Sequence, residues 1–277
     1  MKKSIIAWLL AVLITLLAAF YQRTTGPTYP KKENIELSGK SYKFDLLRSH
    51  VTSSDCDIKL EIPGNISGNI FYKRLNTKDN YDTVAFKRDG DFLLASLPKQ
   101  GAAGKLQYYL ELTDGVKVVS VEKEKNVIIR FKGDVPAFVL IPHILLMFLA
   151  MLFANLTGLL AVFKAKSTYL YSKITIIILF VGGMILGPIV QKYAFGEFWT
   201  GIPFGWDLTD NKTLIALIFW LIAFMAFRKT KKFYYIIGAA IIMLIVYCIP
   251  HSLFGSTLNY ESGKVMTGFI NLPLFQI

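Results

Sequence analysis

Two histidines stand out because each lies where the chain is otherwise apolar. His143 sits about seven residues into a long apolar run, roughly 10 Å from its start at helical rise. His251 follows Pro250 at the end of another such run. An ionisable side chain in that setting is costly unless it has a partner or a task. Two imidazoles from two helices can hold a haem iron between them or share a single metal ion. The third histidine, His50, lies in a polar stretch and reads as a solvated loop residue. No HExxH, no CxxCH and no histidine pair at helical spacing accompanies them, so the haem or metal reading rests on His143 and His251 alone.

A second group lies in residues 198–212, which combine glycines and a proline with Trp199, Trp206, Asp207 and Asp210 just before an apolar run. Read structurally, Trp199 and Trp206 belong to an interfacial aromatic belt, and Thr209 or Asp210 caps the helix that follows. Read functionally, Asp207 and Asp210 converge with His143 and His251 in a polar pocket. Ser252, Ser256, Asn259, Tyr260 and Glu261 would then lie on the same side. No GxxxxGK[ST], GxSxG or GxGxxG motif occurs and no nucleophile–base pair is visible, so no residue is assigned a catalytic role.

The elements that must position these groups are mostly membrane spans. Of the 277 residues, 53% are hydrophobic, and five long apolar segments hold most of them. They cover about residues 4–21, 136–163, 169–190, 212–227 and 233–250, each near the roughly 20 residues that cross a bilayer. The net charge of +12 is concentrated beside these segments, at Lys2-Lys3, at Lys164, Lys166 and Lys173, and at Arg228-Lys229 with Lys231-Lys232. With the N-terminus inside, alternation of five spans puts all three clusters in the cytoplasm and the C-terminus outside. That placement accounts for the basic balance without nucleic acid. The first segment follows Lys2-Lys3 and is short, as in a signal peptide, but it lacks a clean cleavage site and reads rather as an uncleaved anchor. Small residues mark helix contacts: Ala150, Ala154 and Gly158 in one span, Gly183 and Gly187 in the next.

Between the first and second segments the pattern changes to a period of two. Candidate strands fall at 41–47, 57–62, 69–75, 82–88, 91–97, 105–112, 116–122 and 126–131. Asp89-Gly90 and Asp114-Gly115 are dipeptides that favour two-residue hairpins. Many short strands separated by turns indicate a β-sandwich. The rhythm resembles that of the immunoglobulin and fibronectin type III class, a resemblance of strand number and spacing that implies an architecture and no ligand. Cys56 in this block and Cys248 in a span are too far apart in kind to pair, so no disulfide is expected and Cys56 reads as buried.

The expected organisation is an α+β membrane protein: an anchor (1–23), a linker (24–34), an extracytoplasmic immunoglobulin-like β-sandwich (35–135), a four-helix transmembrane domain (136–250) and an extracytoplasmic tail (251–277). The setting is a bacterial inner membrane, with lipid and a protein partner met through the sandwich or the helix faces. The expected role is a non-catalytic scaffold, accessory subunit or sensor. The alternatives are a redox protein binding haem or a metal ion through His143 and His251 on the periplasmic side, and a small transporter. No repeat relates one pair of spans to the other, which weighs against transporters built from inverted repeats.

Overall fold

The computed structural model describes residues 2–62, 64–251, 253 and 255–266. The chain divides into two compact units. One is built from Met1–Pro27 and Val135–Gly255, the other from Thr28–Asp134 and Ser256–Met266.

The first unit is helical: α1 (Lys2–Thr24), α2 (Ala137–Val162), α3 (Thr168–Leu179), α4 (Gly187–Phe195), α5 (Leu208–Thr230) and α6 (Tyr234–Cys248). A π-helical segment, Phe180–Leu186, joins α3 to α4, so Thr168–Phe195 is one continuous rod. That rod, α1, α2 and α5 are long and apolar enough to cross a membrane. α6 is equally apolar but has 15 residues, about 22 Å against a hydrocarbon core of about 30 Å. The expectation of five spans therefore becomes four long apolar helices and one short one.

Small and polar side chains make the contacts between these helices, because apolar bulk gains nothing by leaving lipid. α1 buries Ala7, Ala11, Thr15 and Ala18 along one face, and Asn155 of α2 donates to the Thr15 hydroxyl at 3.0 Å. Ala150 and Ala154 are buried in one cluster with Ala239, Ala240 and Met243 of α6. A Cβ on Gly158 would lie 2.6 Å from that of Ala240, so the close approach of α2 and α6 requires glycine there. Gly183 meets Thr213 of α5 in the same way. Trp220 is fully buried and its indole N–H reaches the Met243 sulfur at 3.0 Å, tying α5 to α6.

The second unit is all β. Its strands are β1 (Lys31–Leu37), β2 (Lys40–Leu46), β3 (Ser49–Val51), β4 (Cys56–Glu61), β5 (Ser67–Arg74), β6 (Asp82–Ala85), β7 (Lys87–Asp89), β8 (Phe92–Leu97), β9 (Lys105–Thr113), β10 (Val118–Val121), β11 (Val127–Lys132), β12 (Thr257–Leu258) and β13 (Val265–Met266). The largest sheet runs β3-β11-β9-β5-β6, with β10 beside β11 on the same edge of β9. β4-β8-β7 and β1-β2 form separate sheets around the same apolar core. β9 shows why the sheet has two faces: Leu106, Tyr108, Leu110 and Leu112 are buried, and the residues between them are half exposed. Cys56 is buried and free, and burial pushes its thiol up to about 12.

Several local expectations change. β1 starts at Lys31, inside the stretch read as linker. The run 82–88 is divided between β6 and β7, which lie in different sheets. His50 is a strand residue in β3, edge-on to Phe131 at 6.0 Å, rather than a loop residue. The two-residue hairpin between β1 and β2 turns on Ser38-Gly39, both at positive φ. β7 and β8 are joined through Gly90-Asp91, one position later than the Asp-Gly pair. Asp114-Gly115 opens a four-residue loop instead of a two-residue one, since Thr113 pairs with Val118. In that loop the Asp114 carboxylate accepts the N–H groups of Lys117 and Val116 and the Ser38 hydroxyl, which pull it down to about 2.

Part of the expected tail belongs to this unit. β12 and β13 form a hairpin, and Leu258 donates its N–H to Ala103 at 2.9 Å. Arg130 donates to the Ser256 carbonyl at 3.0 Å, and the Lys105 N–H donates to the Tyr260 hydroxyl at 3.0 Å. Residues 267–277 of the tail lie outside the described residues.

Candidate functional site

His143 is in the second turn of α2, one residue after Pro142. Its Nδ1 lies 2.9 Å from the carbonyl of Gly182 in the π segment. The wide π turn makes that contact. Gly187 donates its N–H to the same Gly182 carbonyl, five residues back, and a Cβ on Gly187 would stand 3.7 Å from the imidazole Cε1. Glycine at 182 lets the π segment lie close to α2, since a Cβ there would be 2.9 Å from that of Leu146, whereas a Cβ on Gly187 would only touch the imidazole. π segments of this kind recur at functional sites because they displace one turn of an otherwise regular helix.

His251 follows α6 and lines the same cavity as His143, a space of about 210 Å³ between α1, α2 and the end of α6. Gln22 and Tyr247 are the other polar residues of its wall, and the rest of the lining is apolar. His251 is within electrostatic reach of both His143 and Lys212.

Asp207 and Asp210 serve a different purpose. Asp207 is the N-cap of α5: its Oδ1 accepts the N–H groups of Thr209 at 2.8 Å and Asp210 at 3.4 Å. The cap is thus Asp207, not Thr209 or Asp210, because only Asp207 has extended backbone geometry with its side chain over the helix mouth. Asp210 Oδ2 accepts the N–H and the hydroxyl of Thr200, at 2.6 and 3.2 Å. The Asn211 side-chain oxygen accepts the N–H of Ile202 at 2.7 Å. These bonds fold the loop back onto the start of α5, and Gly201 fits because a Cβ there would be 2.7 Å from Asp210 and Asn211. Trp199 donates to the Ile202 carbonyl, while Trp206 is exposed, as are Phe198 and Phe204. Ser256, Asn259, Tyr260 and Glu261 belong to the β unit, and Ser252 lies outside the described residues.

Lys212 was not singled out by residue type, yet it is the most anomalous charge in the helical unit. It is buried at the start of α5, and its ammonium donates to the Ile249 carbonyl at 2.7 Å. Cations are disfavoured near a helix N-terminus. This one instead serves the C-terminal end of α6, where carbonyls lack partners and the dipole is negative. By holding Ile249 it positions the chain that carries His251. The readable signal is a lone lysine at the apolar end of a span opposite the basic clusters.

Among the described residues no group of three or more His, Cys, Asp or Glu side chains is placed to hold a metal ion. A metal in the cavity would have two imidazoles from that set, fewer than the usual ligand count for zinc. No family model, no curated protein and no solved structure matches this chain.

Proposed function

We propose that this chain is an integral protein of a bacterial inner membrane with five spans, its N-terminus cytoplasmic and its C-terminus periplasmic. In this reading α6 crosses with the help of its flanking residues. The β unit is an immunoglobulin-like module displayed on the periplasmic side, and the role is that of a non-catalytic scaffold, accessory subunit or sensor acting with a protein partner.

The observation that carries the non-catalytic reading is the engagement of the acidic groups. Asp207 and Asp210, the carboxylates nearest the histidines in sequence logic, are bound to main-chain N–H groups of their own loop and helix. A general base or a metal ligand needs free lone pairs aimed at a substrate. Asp207 Oδ1 is turned to the main chain of α5, and Asp210 Oδ2 to the N–H and hydroxyl of Thr200.

The test uses the purified full chain. A colourless preparation without stoichiometric metal is the expected result. A Soret band or one equivalent of tightly held metal overturns it in favour of the second reading, in which His143 and His251 bind haem or a metal ion. That second reading is kept because both rings line one cavity. Loss of the bound group in both His143→Ala and His251→Ala would then assign the ligands.

A further inference from the structure

The cavity beside His143 has a hydrogen-bonding sense that can be read from its walls. The Gly182 carbonyl can only accept, so the hydrogen of a neutral His143 ring sits on Nδ1 and its Nε2 presents a lone pair. Tyr247 donates its only hydroxyl hydrogen to the Met147 carbonyl at 3.1 Å, so its oxygen is likewise left to accept. Two of the four polar groups in the wall are fixed as acceptors by bonds to main-chain carbonyls, one on the π segment and one on α2.

The rest of the wall points to the origin of the occupant. Ile144 and Phe148 line the cavity and are themselves 41% and 47% exposed on the outer surface of α2. The cavity is thus continuous with a surface that lipid would cover. Ala18 and Ala19 supply its α1 side, and their small side chains leave the space open. At about 210 Å³ it holds a head group and not a whole amphiphile, since sites for drug-sized molecules run to about 300–1,000 Å³.

We propose that this cavity binds the head of a lipid-phase molecule that donates hydroxyl hydrogens to His143 Nε2 and the Tyr247 oxygen. An isoprenoid quinol and a lipid alcohol of the diacylglycerol type share that chemistry. A quinone carries acceptors only and finds no donor at His143 Nε2 or at the Tyr247 oxygen, which leaves it only Gln22 and His251 and makes it the weaker ligand. The site adds a ligand to the sensor reading. It is scored by binding, so its failure leaves the spectrum and metal test above unaffected.

The experiment titrates the purified full chain in detergent, without oxygen, with decylubiquinol, decylubiquinone and 1,2-dioctanoylglycerol. Saturable binding of the quinol at least about tenfold tighter than the quinone assigns a quinol site. Saturable binding of dioctanoylglycerol, lost when its free hydroxyl is acetylated, assigns a lipid alcohol. His143→Leu weakens either by about tenfold or more. Ala19→Leu, which leaves the His143–Gly182 bond in place and fills the cavity from α1, also abolishes binding, so the result does not depend on the folding of one variant. No saturable binding of either donor overturns the proposal. So does a quinone that binds as tightly as the quinol, or unchanged binding by Ala19→Leu.

Discussion

Asp207 shows how much one side chain decides at this site. It satisfies two N–H groups at the mouth of α5, and through the helix start it sets where Asp210, Asn211 and Lys212 point. Asp207→Ala should lower stability by about 1 kcal/mol, the usual cost of losing a cap, and Asp207→Asn by much less, because the amide oxygen still accepts. Thermal melting of the purified protein with the two variants checks the order. Asp114 permits a pH test in the β unit. Its folded pKa is depressed to about 2, against an ordinary value of about 3.9. The stabilisation it provides is therefore complete above about pH 4 and is lost as pH falls through about 2. The urea midpoints of the β unit and its Asp114→Ala variant should differ by a constant amount above pH 5 and converge toward pH 2. At this scale the sequence was legible where residue type and place conflict, as for His143. At Lys212 it shows only a lone lysine at the apolar end of a span, and not its partner, a carbonyl 37 positions away that no spacing rule reaches.

Elements were legible where a period is long and clean. The helices start and stop within a few residues of the apolar runs, because burial in lipid demands an unbroken apolar stretch. Most strands from β4 to β11 were readable from alternation and turns, as in Ile58, Leu60 and Ile62, but the division of 82–88 into β6 and β7 was not. β1 was not, because Lys-Lys-Glu-Asn leads it and only Ile35 and Leu37 are buried. β12 and β13 have two residues each, too few to show any period. The π segment was hidden as well, since its seven residues are apolar like the helices on either side. Helix packing gives the prediction at this scale. Gly158→Ala places a methyl 2.6 Å from the Ala240 methyl and should destabilise by about 1–3 kcal/mol through overpacking. Adding Ala240→Gly should restore much of that loss in the melting temperature, because it reopens the same contact. A double variant whose loss is the sum of the two single changes, with no rescue, would mean that α2 and α6 do not touch there.

At the scale of the molecule, the chain divides into one helical unit with long apolar helices and one β unit. The basic residues fall at the α1 start, the α2–α3 connection and the α5–α6 connection, while the capped loop, Lys212 and the histidine cavity fall at the opposite ends of the helices. That division is what the proposed orientation rests on. The most direct test labels intact cells with a membrane-impermeant maleimide, in a background with Cys56→Ser and Cys248→Ser. Lys78 in the β unit and Lys229 in the last turn of α5 are both exposed positions, and each is replaced by cysteine in turn. The account predicts labelling of Lys78→Cys once the periplasm is reached and labelling of Lys229→Cys only after the membrane is permeabilised. Labelling of Lys229→Cys in intact cells, or protection of Lys78→Cys until lysis, would contradict it.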